Sequence, residues 1–266
     1  MQSRNSALNR WVAQGGSSRE AAAEYGHYGQ MQAPPQVQPM TLDNVVARTV
    51  GLLLLVGVSG AITWTLATVS PALAGGLAAI GAIVTLGVIL VSWFSTNAFA
   101  NPVLPSIYAV AAGLMLGPFS QFMESMYPGI VLQAVVGTFG VFFGMAMLYK
   151  ARVVRNSPKF TKFMIGTGFG LMALLLVNFL LGIFGVDMGL FYDYGSDAPP
   201  SMLQWIIAIV FVAWAAFSFI LDFDMVEYGV RYGAPKKYAW VAAFGLTAGL
   251  VFLYISILRL LSYIRQ

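Results

Sequence analysis

The stretch FILDFDMVEYG, residues 219–229, is the one around which this chain is organised. It closes the apolar run 202–221 and adds three acids to its end, Asp222, Asp224 and Glu227. A carboxylate at the edge of a membrane span is costly, and intramembrane acids commonly mark functional sites. The pattern therefore predicts that these acids lie at the inner mouth of an ion path through a bundle of membrane helices.

The composition is that of a multi-pass membrane protein. Of 266 residues, 59% are hydrophobic and only 9% are charged, whereas soluble domains carry about 25% charged residues. The chain has no cysteine, which excludes disulfides and thiolate metal sites, and His27 is its only histidine. In a membrane protein the net charge of +4 reports orientation first and does not indicate a nucleic-acid partner.

Seven apolar runs follow a polar segment, and each is near the ~20 residues that a helix needs to cross a bilayer. We place the runs at 45–67, 72–95, 103–125, 129–149, 161–184, 202–221 and 239–263. The chain is thus predicted to be an all-α integral membrane protein, with a seven-helix bundle over 44–266. Residues 1–43 are polar and of low complexity, which predicts a disordered tail.

Basic residues orient the bundle. Lys and Arg cluster in the loops after the fourth and sixth runs, and the loops on the other side hold none. The positive-inside rule then predicts a cytoplasmic N-terminus and, after seven crossings, a C-terminus on the outside. Small residues spaced by four would also let helix backbones approach closely. Three such pairs are Gly113/Gly117, Gly140/Gly144 and Gly166/Gly170.

Asp222 has two interpretations at this stage. It is either a solvated carboxylate at a helix end, or a carboxylate turned into the bundle that binds a cation or shares a proton. Burial disfavours the ionised form of a carboxyl group, whereas a nearby cation favours it. A site that balances the two effects responds to pH near neutrality. Asp224 lies about 200° around the helix from Asp222, so the two cannot share one face. Asp224 and Glu227 would give the inner mouth a negative potential.

Three further charged residues lie near or within the runs. Arg48, early in the first run, either snorkels to the inner surface or supplies a counter-charge to Asp222. Arg259, deep in the last run, is a second candidate counter-charge, or it snorkels outward or lines an outer vestibule. Glu124, at the end of the third run, is interpreted as an interfacial acid.

Motifs for catalysis are missing from the sequence. It contains no HExxH, no GxSxG and no Gly-rich phosphate loop, and GTGFG (166–170) lies inside an apolar run rather than after a strand. We therefore predict that the protein is not an enzyme and needs no cofactor.

Four stretches carry a family resemblance: NPVLPSIYAVAAGLMLGP (101–118), VLQAVVGTFGVFFGMAMLYK (131–150), FILDFDMVEYGVRYGAPKKYAW (219–240) and FLYISILRLL (252–261). On these, about residues 42–266 resemble the Bax inhibitor-1 family, also called the transmembrane Bax inhibitor motif family. The chain is most similar to a bacterial branch with a longer N-terminal tail. The resemblance implies a seven-helix protein of the bacterial inner membrane, with its last helix near the centre, that passes Ca²⁺ passively and responds to pH.

The resemblance also implies a latch, in which an aspartate late in the sixth helix and an acid in the seventh share a proton and close the pore. By position Asp222 is the first acid and a tentative Ca²⁺ ligand. The second position falls at Ser256, which offers only a hydroxyl and would weaken the latch. The two can meet if the last crossing begins near Gly245, with 238–244 as an interfacial turn. An ungapped match to relatives with shorter loops instead aligns Gly249, and not Ser256, with the second acid.

Two other functions stay open. The chain could be a membrane-embedded partner or modulator of another membrane protein such as a protease, working through its polar tail or the basic loop 150–162. It could also be a cation transporter, although it lacks the several buried charges that coupling normally needs.

Overall fold

The computed structural model describes residues 38–185 and 199–265. In these ranges seven helices are long and apolar enough to cross a membrane, which confirms the predicted all-α, multi-pass architecture. They are α1 Leu42–Val69, α2 Pro71–Phe94, α3 Val103–Met126, α4 Ile130–Lys150, α5 Pro158–Ile183, α6 Met202–Arg231 and α7 Ala239–Ile264. Short 3-10 turns occupy Thr96–Phe99 and Lys236–Tyr238. Residues 1–37 of the predicted tail lie outside the described residues.

Local capping sets several helix starts. The side chain of Thr41 accepts a hydrogen bond from the backbone at the start of α1, and Ser157 does the same for α5. Pro158 occupies the first turn of α5, where its missing N–H costs nothing. Helix α6 begins with a capping box between Ser201 and Gln204. These signals are local in sequence, which is why the predicted boundaries at these three starts fall within three residues of the observed ones.

Helix α6 is longer than the sequence pattern predicted. The apolar run ends at residue 221, but the helix continues to Arg231, about 15 Å further. The first helix-breaking residues come only at Gly233, which has a φ of 65°, and at Pro235. The three acids therefore lie within the helix and not beyond its end, which corrects the predicted boundary at 221.

The C-terminal helix is central, as the resemblance implied. In the most apolar stretch of α7, 61% of the residues are buried, against 22% in α1. Helix α7 contacts α1, α3, α4 and α6, whereas α5 lies on the outside of the bundle, where it contacts α6 and, through the rings of Phe169 and Trp93, also α2. One of those outer contacts is a hydrogen bond of 3.1 Å from Nε1 of Trp214 to Oγ1 of Thr167. Helix α7 thus forms the axis around which the other helices are arranged.

The tightest helix pair is α1 with α3, and glycines make it possible. A Cβ placed on Gly113 would lie 2.9 Å from the backbone nitrogen of Gly60, and one on Gly117 would lie 2.9 Å from the backbone nitrogen of Trp64. Oγ1 of Thr63 crosses the interface to the carbonyl oxygen of Gly113 at 3.3 Å. The predicted role of Gly113 and Gly117 is therefore confirmed.

The other two glycine pairs do not pack against neighbouring helices. A Cβ added at any of these four residues would meet nothing within 4 Å, so the prediction for them is wrong. The residues are Gly140, Gly144, Gly166 and Gly170. Spacing alone does not say which side of an apolar helix faces a neighbour.

The compact bundle begins at Pro39, before the predicted boundary at 44. The backbone N–H of Met40 donates to the carbonyl oxygen of Ala234 at 2.7 Å, and Pro39 forms an isolated bridge with Pro235. The Met40 side chain is 3% exposed and packs against Gly229 near the end of α6. This short segment fastens the start of α1 to the α6–α7 loop.

The α1–α3 contact gives a direct test. Gly113→Ala or Gly117→Ala places a methyl group against backbone atoms that cannot move aside, and overpacking of this kind costs about 1–3 kcal/mol. We expect a lower melting temperature for the purified protein in detergent. Gly144→Ala is the matched control, because its new methyl group meets open space and should leave stability unchanged or slightly higher. Equal effects at all three positions would contradict the packing argument.

Candidate functional site

The carboxylate of Asp222 faces the central helix. A Cβ on Gly245 would lie 2.8 Å from Oδ1 of Asp222, and a Cβ on Gly249 would lie 3.6 Å from Oδ2. The two glycines are one turn apart on α7 and leave the space that the carboxylate occupies. Of the two interpretations made from the sequence, the one that turns Asp222 into the bundle is the arrangement that this structure holds.

Asp222 has no hydrogen-bond or ion-pair partner in the part of the chain that the structure describes. Where Asp222 meets α7, its neighbours are apolar or lack a side chain. The ring of Phe219 and the end of the Met225 side chain, both from α6, lie beside the two glycines, 2.9 Å from the place of a Cβ on Gly249 and 3.9 Å from that of a Cβ on Gly245. An ionised carboxylate among apolar groups, without a partner, is costly. Such a group gains from a proton or from a cation.

Ser256 does not reach Asp222. It lies seven residues beyond Gly249, about 10 Å further along α7. Its side chain is 2% exposed, and its hydroxyl donates to the carbonyl oxygen of Phe252 at 2.8 Å. Helix α7 also begins at Ala239 without the predicted interfacial turn over 238–244. The expected pairing of Asp222 with Ser256 is therefore corrected, and the register with Gly249 opposite Asp222 is the one that the structure holds.

Asp224 and Glu227 face α4 instead of α7. The hydroxyl of Tyr149 donates to Glu227 at 2.7 Å and lies 3.4 Å from Oδ1 of Asp224. Nδ2 of Asn156 donates to Oδ2 of Asp224 at 2.8 Å. This confirms that Asp222 and Asp224 occupy different faces of one helix. Asp224 and Glu227 join α6 to the end of α4 and to the loop that follows it.

The two candidate counter-charges have other partners. Nη1 of Arg48 donates to the carbonyl oxygen of Lys236 at 2.7 Å, and its guanidinium lies 4.8 Å from the ring centroid of Trp240. Arg259 lies over the ring of Phe211 at 5.9 Å, ten residues beyond Gly249 and so about 15 Å along α7 from the Asp222 contact. The alternative that made either arginine a counter-charge to Asp222 is not the arrangement of this structure, because Asp222 forms no ion pair among the described residues.

Glu124 has a structural role that the sequence pattern did not show. Its Oε1 accepts from the backbone N–H of Gly129 at 2.6 Å, and its Oε2 accepts from that of Val131 at 3.0 Å. The carboxylate thereby caps the first turn of α4, where a negative charge is favourable. Tyr149 and Asn156 were also missed, because nothing in their local sequence shows that they meet acids of α6.

Gly245 and Gly249 could have been found from the sequence. They have the same four-residue spacing as the pairs singled out above, and they lie in the run that the resemblance placed at the centre. Their spacing points to a close neighbour. Only the structure shows that this neighbour is a carboxylate.

Two cavities lie elsewhere in the bundle. One of about 520 Å³ is apolar and lies between α1, α3, α4 and α7, with a hydrogen bond of 2.7 Å between the hydroxyls of Ser120 and Tyr254 in its wall. The other, of about 790 Å³, lies at the end of the bundle that carries the basic loops. Neither of these two cavities has Asp222 in its lining, so this conformation separates the carboxylate from both.

Comparison with known proteins adds the family. Residues 5–266 match a family model described as Bax inhibitor 1 like. The chain belongs to the Bax inhibitor 1 like family. Searches of curated proteins and of solved structures gave no match.

The family match covers more of the chain than the resemblance seen in the sequence. The resemblance covered about residues 42–266, whereas the family match begins at residue 5 and so includes most of the polar tail. Together with the seven apolar helices, the match makes this a multi-pass membrane protein of the Bax inhibitor type.

The unpartnered state of Asp222 can be tested through stability. Replacing Asp222 by Asn removes a charge that has no partner among the described residues, and we expect the free energy of unfolding in detergent at pH 8 to rise by about 1–3 kcal/mol. The measurement is thermal or denaturant unfolding of the purified protein.

Asp224→Asn is the matched control for that substitution. It removes a carboxylate that accepts from Asn156, and we expect a loss of about 1 kcal/mol. Destabilisation by Asp222→Asn of the same size as that by Asp224→Asn would contradict the description of Asp222 as a charge without a partner.

Proposed function

We propose that this protein is a passive calcium leak of the bacterial inner membrane and that Asp222 attracts the ion and controls its passage. The observation that carries the proposal is the carboxylate of Asp222, directed at Gly245 and Gly249 of the central helix without a partner among the described residues. Carboxylate oxygens are the ligands that Ca²⁺ prefers. Family membership is consistent with this class of function.

The site favours brief binding over storage. Ca²⁺ normally takes six to eight oxygen ligands. Among the described residues, no group of three or more His, Cys, Asp or Glu side chains could hold a metal ion. One carboxylate attracts a cation without trapping it, which is what conduction requires.

The contact between α6 and α7 is the proposed point of opening. Gly245 and Gly249 have no side chains to interlock with α6, so a small displacement of α6 would open space beside Asp222. Phe219 packs against the Gly249 backbone and would have to move with it. The present conformation, with neither described cavity reaching Asp222, then corresponds to a closed state.

The direction of the pH response follows from the charge. Asp222 is the titratable residue at this contact, because Gly245, Gly249 and Phe219 do not titrate. The ionised form attracts Ca²⁺ and the protonated form does not, so flux should rise with pH. A shared-proton latch needs a second acid, and α7 supplies none at residues 245, 249 or 256. We therefore expect a shallower pH response than in a relative with two acids.

Calcium flux in liposomes tests the proposal. For purified protein reconstituted with a trapped Ca²⁺ indicator, we expect wild-type influx to rise between pH 6 and pH 8. Asp222→Asn should remove most of the flux and its dependence on pH, because the attracting charge is gone. Wild-type flux that equals that of empty liposomes, or an Asp222→Asn variant with unchanged flux, would overturn the proposal.

Two control variants sharpen that experiment. Asp43→Asn makes the same chemical change at an exposed residue in the first turn of α1 and should leave flux unchanged. Ser256→Ala should also keep the pH response, because Ser256 lies about 10 Å along α7 from the Asp222 contact. Loss of the pH response in Ser256→Ala would restore the latch between Asp222 and Ser256.

The alternative function is a modulator of another membrane protein, such as a protease. The observation that favours it is that the family match begins at residue 5, so the polar tail belongs to the sequence that the family shares. In this alternative the tail or the basic loop 150–162 would be the binding surface.

Deletion of residues 1–37 separates the two functions. The deletion must stop there, because Met40 is buried against α6 and its loss would damage the bundle. A leak should keep its flux in liposomes without the tail. A modulator should lose co-purification with its membrane partner from detergent extracts, while a full-length chain carrying Asp222→Asn keeps it. Loss of flux on tail deletion would contradict a path formed by the helices alone.

A further inference from the structure

The cavity of about 790 Å³ at the basic-loop end has two kinds of wall. We call it the basic pocket. Three of its lining residues are cations, Lys150, Arg152 and Arg231, and all three are exposed. The apolar part of the wall comes from α1, α4 and α6 and consists of Leu42, Ala146, Phe223, Val226 and Val230. A pocket with a cationic rim and an apolar wall matches an amphiphile with an anionic head.

The three cations have no protein partner among the described residues. Glu227 also lines the pocket, but it accepts its hydrogen bond from Tyr149 at 2.7 Å and forms no ion pair with Arg231, four residues further along α6. The lining therefore carries three positive charges and one negative charge. This surplus of positive charge favours an anion.

Arg152 gives a second, independent observation. It is the one non-glycine residue with positive φ in the described ranges, at 62°. It occupies the position after the end of α4 where helices usually place glycine: its N–H donates to the carbonyl of Tyr149, and the N–H of Val153 donates to that of Leu148. An arginine in this left-handed conformation is strained where glycine would not be. Strain at such a position points to a role for the side chain.

We propose that the basic pocket binds an anionic phospholipid of the adjacent leaflet. Lys150, Arg152 and Arg231 would bind the headgroup phosphate, and an acyl chain would lie along the apolar wall. Arginine suits this role because its planar guanidinium binds phosphate oxygens in pairs. Basic pockets between membrane helices are known to take anionic headgroups. This site lies on the α4 side of α6, whereas Asp222 faces α7, so it does not depend on the proposed calcium leak.

Lipid binding by the full-length chain in neutral detergent tests the site. The probe is phosphatidylglycerol, with phosphatidylcholine and inorganic phosphate as comparisons, and bound lipid is counted by native mass spectrometry alongside thermal unfolding. We expect phosphatidylglycerol to bind and to raise the melting temperature, and the two comparison compounds to do neither. Arg152→Gly and Arg231→Gln should each weaken binding about fivefold, and the pair of changes about 25-fold.

Arg152→Gly separates binding from folding. Without lipid its melting temperature should equal or exceed that of the wild type, because glycine adopts positive φ without strain. Lys159→Gln, a cation of the same loop region that does not line the pocket, is the matched control and should change binding less than twofold. If Arg152→Gly instead unfolds, Arg231→Gln alone carries the test.

Three results would overturn the proposal. The first is equal binding of phosphatidylcholine, which would mean that the pocket does not select for charge. The second is the same stabilisation by inorganic phosphate alone, which would make the ligand a free anion and not a lipid. The third is an equal loss of binding in Lys159→Gln, which would reduce the effect to general surface charge.

Discussion

The carboxylate of Asp222 lies against a bare face of the central helix, and much of the architecture follows from that contact. Helix α6 must continue past residue 221 to hold Asp222 within the bundle, and α7 must lie at the centre to meet it. Gly245 and Gly249 must lack side chains, because a Cβ at either position would approach the carboxylate or the ring of Phe219. Because the carboxylate has no partner among the described residues, this contact stays poised to accept a proton or a cation.

The packing around that contact is uneven in a way that matters for motion. Helices α1 and α3 are interlocked through Gly113 and Gly117, where backbones touch and cannot slide freely. The α6–α7 loop is held to the start of α1 by Met40 and by Arg48, which both bond to its carbonyl groups. Across the α6–α7 pair the rings of Phe211 and Phe252 pack together, but at Asp222 itself no hydrogen bond joins the two helices among the described residues. A displacement confined to the Asp222 contact therefore breaks no hydrogen bond there.

Acids on this chain show how environment assigns roles to one functional group. Glu124 accepts two backbone N–H groups and caps α4, and Asp224 and Glu227 accept from Tyr149 to join α6 to α4. Asp222 alone among these four lacks a partner in the described chain, although it lies only two residues from Asp224. The difference arises because successive residues of a helix point to different neighbours. The proposed function therefore rests on the surroundings of Asp222, since its residue type is shared with acids that join or cap helices.

The sequence by itself determined that seven helices cross a membrane, roughly where each begins, and that Asp222 and Asp224 face different ways. These properties are local, since hydropathy, capping residues and the helical period act within a few residues. Only the tertiary structure decided that Gly249 and not Ser256 faces Asp222, and that Gly113 packs closely while Gly140 faces outward. The physical reason is that membrane helices are apolar on every side, so their periodicity does not reveal which face meets which neighbour.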